Sequence, residues 1–200
     1  MSRFRRRQML AAAVVPGGGG GAIVGYGIVG TPSIVDGVLS VSDKVSGVVC
    51  PEPFSPGTES WEIVTRVRQT SPHRFADLLY SLDSNNAPIQ YLLLEAGSGG
   101  EMYFYARLLG ESSWSLIRGV STPYGADNSW CFLRLRYDKD SGYYVGNSTD
   151  GIAWSESQAG IVTPIQGGAY ITFGYVFGDS NYFPGEWDLN ETYIKIGGSV

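Results

Sequence analysis

Apolar and polar positions alternate with a period of two along stretch after stretch of this chain, and no sustained helical period competes with them. Ser60-Trp61-Glu62-Ile63-Val64-Thr65-Arg66-Val67-Arg68 sets Trp61, Ile63, Thr65 and Val67 on one face of an extended strand and Glu62, Val64, Arg66 and Arg68 on the other. Trp130 to Tyr137 repeats the pattern, with Leu133, Leu135 and Tyr137 opposed to Arg134 and Arg136. Ala22 to Val29, Ile34 to Leu39, Ala76 to Leu82, Ile89 to Glu95, Glu101 to Leu109 and Ala169 to Phe177 are further strand candidates. Turn chemistry separates them, as in Asn85-Asn86-Ala87-Pro88, Gly97-Ser98-Gly99-Gly100 and Asp138-Lys139-Asp140-Ser141-Gly142, the last folding the chain back into Tyr143-Tyr144-Val145-Gly146. Tyr91-Leu92-Leu93-Leu94 is apolar on both faces, which predicts a strand inside a sheet.

The closing stretch, Gly185 to Gly198, poses a problem of parity. Trp187 and Leu189 share one face, and Ile194 and Ile196 share one, yet Leu189 and Ile194 are an odd number of positions apart. Both reach a core only if the chain takes an extra residue near Asn190-Glu191, so a β-bulge is expected there. The same stretch holds three carboxylates, Glu186, Asp188 and Glu191.

Composition supports an all-β fold: Gly 28, Tyr 13 and 13% aromatic against 16% charged residues describe short strands joined by tight turns. A chain of 200 residues suffices for one sandwich with a core. Residues 1–21 stand apart as a low-complexity tail, with Arg3, Arg5, Arg6 and Arg7, the apolar run Met9 to Val15, Pro16 and five glycines; the folded domain is expected over 22–200. Arg6-Arg7-Gln8-Met9-Leu10 resembles a twin-arginine export signal, but no clean small-residue cleavage site follows it. The favoured reading is an attachment tail with a glycine hinge. No stretch approaches the length of a membrane span.

Charge narrows the partners. The formal net charge is −5, and setting aside the four tail arginines that precede the first acid, Asp36, leaves −9 for the remainder. Such a body repels phosphate, so nucleic acid is not an expected partner. Cys50 and Cys131 make no disulfide framework and no Cys/His cluster, so neither a metal nor a cofactor is expected. Cys131 reads as a buried thiol, with a Cys50–Cys131 bridge as the alternative. His73, the sole histidine, falls in a loop and reads as surface, and Asp150 alone is a weak calcium ligand. Asn147-Ser148-Thr149 and Asn190-Glu191-Thr192 are formal glycosylation sequons. The segments 121–128 and 178–184 join aromatic to hydrogen-bonding side chains, which nominates Tyr124, Asp179, Asn181 and Tyr182 as carbohydrate contacts. Tyr103 and Tyr105 share a face and either stack on sugar rings or pack against their neighbours.

Three motifs add a resemblance. Residues 185–198 read G-x-x-D-L-x-x-T-Y-I-x-I-x-G, the turn Pro53-Phe54-Ser55-Pro56-Gly57 precedes Trp61-Glu62-Ile63, and Ser148-Thr149-Asp150-Gly151-Ile152-Ala153-Trp154 reads S-x-D-G-x-x-W. In this order they resemble the concanavalin A-like (laminin G-like) jelly-roll domains of bacteriophage virion proteins, over roughly residues 27–198. The resemblance implies an antiparallel two-sheet jelly-roll sandwich of about a dozen strands, with first and last strands close together. It also implies a fibre or decoration protein of the virion. Such a protein would dock to capsid or tail proteins through its N-terminal tail, display a sugar-binding sandwich toward a host surface glycan, and form a homo-oligomer. A second resemblance competes: Glu186, Asp188 and Glu191 match the E-x-D-x-x-E pattern of laminarinase-type endoglucanases. That likeness implies a secreted retaining glycosidase with Glu186 as nucleophile, Asp188 as its electrostatic helper and Glu191 as general acid/base, its two working carboxyls about 5 Å apart.

Overall fold

The computed structural model describes residues 21–22, 26–43, 46–50, 53–69, 75–82, 88–96, 101–110, 115–121, 129–161, 163–165, 168–174 and 185–197. In chain order the strands are β1 (Gly21–Ala22), β2 (Gly27–Val29), β3 (Ser33–Val35), β4 (Val38–Val41), β5 (Gly47–Val49), β6 (Trp61–Gln69), β7 (Phe75–Leu82) and β8 (Pro88–Ala96). There follow β9 (Glu101–Arg107), β10 (Ser115–Ser121), β11 (Trp130–Asp138), β12 (Gly142–Ser148), β13 (Ser155–Gln158), β14 (Tyr170–Phe173) and β15 (Gly185–Ile196). Every pairing is antiparallel. Sheet A runs β13-β12-β11-β6-β15-β4-β3, with β1 beside β15, and sheet B runs β10-β9-β8-β7-β14-β5-β2. This is the two-sheet sandwich expected from the alternation.

The two faces of β6 and β11 divide as their sequences predict. Trp61, Ile63, Val67, Cys131, Leu133, Leu135 and Tyr137 join Leu39, Trp187, Phe104 and Phe173 in one core between the sheets. Trp61 is its aromatic hub: Phe54 meets it edge-on at 5.2 Å between centroids, Tyr143 edge-on at 5.9 Å, and Tyr137 stacks at 6.1 Å. The Tyr143 hydroxyl, buried among these rings, accepts a hydrogen bond from the Ile165 amide at 2.8 Å, so its polar end is satisfied. Cys50 and Cys131 are both free and buried, so the alternative of a bridge between them is corrected. Burial pushes the Cys50 thiol up to about 12, far from thiolate reactivity.

Three further expectations change in detail. Ile34 to Leu39 is a hairpin, β3–β4, turning on Asp36 and Gly37, which both take positive φ (52° and 81°) as a two-residue loop of this kind requires. Strands β5, β10 and β13, which are short or carry weak alternation, escaped the sequence reading. The bulge in the last strand exists but is larger than one residue. Asp188 pairs with Arg66 and Tyr193 with Val64, so the four residues 189–192 stand opposite the single residue Thr65. Three extra residues flip the parity as one would, and Leu189 lies in the core with Ile194 packed against it. First and last strands do meet, Gly21 opposite Ile194 and Ala22 opposite Tyr193.

The bulge is held by the β3–β4 hairpin. The Leu189 amide donates to the Gly37 carbonyl at 2.9 Å, and the Asn190 side-chain amide donates to the Asp36 carbonyl at 3.0 Å. The Thr192 hydroxyl donates to the Asp188 carbonyl at 2.8 Å. A Cβ on Gly37 would stand 2.1 Å from the Asn190 amide nitrogen. Gly37→Ala is therefore expected to cost on the order of 2–4 kcal/mol, by steric conflict added to an unfavourable φ. Chemical denaturation should show a lowered midpoint with the slope unchanged.

Candidate functional site

The face of sheet A that points away from the core carries the chemistry. Register brings its residues into rows. Ser40, Glu186, Arg68 and Trp130 lie side by side across β4, β15, β6 and β11, and Asp188, Arg66 and Phe132 form the next row. In the row after that, Tyr193, Val64, Arg134, Gly146 and Glu156 align, followed by Lys195, Glu62, Arg136, Tyr144 and Gln158. Cations, carboxylates and rings are thus interleaved across the sheet rather than along any one strand.

Each arginine is held twice. Arg68 grips Glu186 through Nε at 2.7 Å and through a terminal nitrogen, while the Ser40 hydroxyl reaches the other Glu186 oxygen at 3.4 Å. Arg66 binds Asp188 Oδ2 at 3.0 Å, and Asp188 Oδ1 accepts the Asn190 amide at 3.1 Å. Both guanidinium groups also lie over the Trp130 ring, at 5.2 Å for Arg66 and 4.9 Å for Arg68, and Arg66 is 5.7 Å from the Phe132 centroid. Farther along, Arg134 meets Glu156 at 2.6 Å and Glu62 at 3.6 Å, and stacks on Trp154 at 4.2 Å. Arg136 meets Glu156 at 3.3 Å and stacks on Tyr144 at 4.0 Å. Planar guanidinium suits this double duty, since its edge hydrogen-bonds while its face stacks. Tyr193, beside this cluster, has its phenol pushed up, first by burial and then by the nearby Glu62 carboxylate.

A turn overhangs the first rows. In Ser148 to Trp154, Asp150 Oδ1 accepts the amides of Ile152 and Ala153 at 2.8 and 2.9 Å, and the Ser148 hydroxyl donates to it at 2.9 Å. Those bonds hold the Asp150 carboxyl below its usual range, the Ala153 amide contributing most. The turn needs Gly151, whose φ is 74° and whose Cα packs so closely on the Phe132 ring that a Cβ would lie 3.3 Å from it. At its crown Ile152 is 83% exposed.

Of the residues nominated from sequence, Glu186 and Asp188 sit in the first two rows with their oxygens engaged by arginine, serine and backbone, while Glu191 stands exposed in the bulge. Tyr124, Asp179, Asn181 and Tyr182, the tail arginines Arg3, Arg5, Arg6 and Arg7, and His73 lie outside the described residues. Among the described residues no cluster of three or more metal-ligating side chains occurs, and no helix is long and apolar enough to cross a membrane. Asn147 of the first sequon is buried, at 1% exposure, and the Asn190 side chain of the second is engaged with Asp36. Trp130, Phe132 and the arginine partnerships were not foreseen. The alternation announced an arginine face on β6 and β11, but which acid meets which arginine is set by register, for which the sequence carries no local signal.

No protein-family model matches this sequence, and no curated protein matches it. Solved structures do match in shape. A botulinum neurotoxin serotype D binding domain superposes with a TM-score of 0.59 at 9% identity, over 88% of this chain and 44% of that one. The receptor-binding domain of a botulinum neurotoxin C/D mosaic serotype gives 0.58 at 10%, over 88% and 43%. Domains LG4-5 of the mouse laminin alpha1 chain give 0.54 at 16%, over 84% and 44%. The fold is a laminin G-like jelly roll. This chain spans under half the length of each of those structures, and identities so low speak to the fold alone.

Asp150→Ala should lower the melting midpoint by a few degrees, because two amides lose their acceptor. Since the folded carboxyl titrates below its unfolded value, the difference between wild type and variant should be full above about pH 4 and close as the pH falls through the lowered value. Melting curves recorded across that range read it directly.

Proposed function

We propose that this protein is a non-catalytic recognition module with a lectin-like sandwich, displayed on a bacteriophage virion as a fibre or decoration element. The observation that carries the reading is the outer face of sheet A, where half-exposed rings alternate with arginine–carboxylate pairs. Such a surface offers flat apolar area together with fixed donors and acceptors, as sugar recognition demands. The jelly-roll neighbours include domains described as receptor-binding, which is consistent with binding without chemistry.

The endoglucanase reading asks Glu186 to act as a nucleophile. One oxygen of its carboxylate is instead gripped by Arg68 through two nitrogens, so Glu186 serves to hold that arginine. Asp188 is spent on Arg66 and on the bulge. Purified protein should release no reducing sugar from mixed β-glucans; turnover abolished in Glu186→Gln would overturn the non-catalytic assignment.

The virion assignment rests on the three-motif resemblance and on a basic tail ahead of an acidic body. In that setting the tail, with Arg3, Arg5, Arg6 and Arg7, docks the module to capsid or tail proteins, and the module works as a homo-oligomer. The edge strands β2 and β3 suit such a contact: they carry no charged residue, and Ile28 and Val35 stand exposed on them. Removing residues 1–21 should abolish incorporation into particles while leaving a cooperative melt. Normal incorporation of the truncated protein would sink the docking role.

A further inference from the structure

We propose that the Trp130 end of the outer face of sheet A is the sugar site itself and that its ligand is a neutral oligosaccharide. This deepens the lectin-like reading and rests on it. The site comprises Trp130, Arg66 and Arg68, the carboxylates Glu186 and Asp188 that hold those arginines, and the overhanging lip of Gly151 and Ile152.

Rigidity comes first. Trp130 is half-buried and two guanidinium groups lie over its ring, while those groups are pinned by Glu186 and Asp188. Asp188 is itself fixed by the bulge, through the Asn190 amide. The ring and its polar neighbours are therefore ordered before any ligand arrives, and little conformational entropy is lost on binding.

Charge identifies the ligand class. Arg66 is matched by Asp188 and Arg68 by Glu186, so the floor of the site has no net charge. A polyanion would have to displace the carboxylates, and a polycation would meet arginine. Neither sulfated or sialylated glycans nor basic peptides are favoured. A neutral sugar has what the surface lacks: adjacent hydroxyls that both donate and accept. An arginine and its carboxylate side by side present donors next to acceptors, and each guanidinium has five N–H groups, more than its carboxylate partner consumes. Trp130 is only partly buried, and the apolar face of a pyranose fits against what the guanidinium groups leave uncovered.

Shape supplies the last argument. The Asp150-Gly151 turn closes down on Phe132 and raises Ile152, 83% exposed, beside the rows. Among the described residues the floor thus has an apolar lip on one side, and a chain of sugars can lie along it.

The test uses the full chain on an array of immobilised neutral gluco-, galacto- and N-acetylhexosamine oligosaccharides, with sialylated and sulfated counterparts as comparison. Wild type is expected to bind neutral members, with Trp130→Ala and Arg68→Met each weakening binding at least tenfold and Ile152→Ser less. Circular dichroism verifies that each variant is folded; if Trp130→Ala is not, Arg68→Met and Ile152→Ser carry the test. Undiminished binding by the folded variants would place the sugar elsewhere and overturn the site while leaving the lectin-like reading intact. Binding confined to the acidic glycans would overturn the ligand class. Wild type that binds no glycan would remove both the site and the reading beneath it.

Discussion

The bulge in β15 is the constraint from which the outer surface follows. An interior strand of sheet A, flanked by β6 and β4, must bury Trp187 and Leu189 and later Ile194, which regular pleating forbids, and three extra residues opposite Thr65 reconcile them. Extra backbone carries amides and carbonyls that need partners. The Gly37 carbonyl of the β3–β4 hairpin takes the Leu189 amide and the Asp188 carboxylate takes the Asn190 amide, while the Asn190 and Thr192 side chains bond the Asp36 and Asp188 carbonyls. The conformational freedom of glycine at one turn thereby sets the position of a carboxylate on another strand.

From that carboxylate the order spreads across the sheet. Asp188 and Glu186 orient Arg66 and Arg68, these orient Trp130, and the same device recurs with Arg134, Glu156 and Trp154. Isolated surface ion pairs contribute little to stability, on the order of 0–1 kcal/mol. Here the pairs are half-buried and share partners with aromatic rings, so their main consequence is a surface of defined shape. An exposed indole on a mobile side chain would pay an ordering cost at every encounter; one clamped by arginines does not.

The three recognised motifs turn out to be structural in their local roles. Trp61 is the hub of the core, the Ser148 to Trp154 turn is closed by Asp150 and Gly151, and Asp188 with Thr192 shapes the bulge. Their resemblance to jelly-roll domains is a likeness in how a sandwich is closed. The E-x-D-x-x-E pattern arises from the same needs: Glu186 and Asp188 alternate outward because Trp187 and Leu189 alternate inward. What the motifs lie beside on the outer face is decided by the other strands, β6 and β11 above all.

How much could be read in advance follows from the range of each interaction. The period of two, the faces of β6 and β11, the interior place of β8 and the need for a bulge near Asn190 were all legible, because each depends on residues close together in the chain. The strands β5 and β13 were not, since three and four positions are too few to show a period, nor was β10, whose Ser115-Leu116-Ile117-Arg118-Gly119-Val120-Ser121 alternates weakly. Nor was the bulge's true size, which depends on a hairpin some 150 residues away. The amino-acid order by itself determined the sandwich and the charge pattern of its outer face. Only the tertiary structure decided that Arg68 meets Glu186 and Trp130, because strand order and register are settled by packing the whole core at once, and no local stretch encodes them.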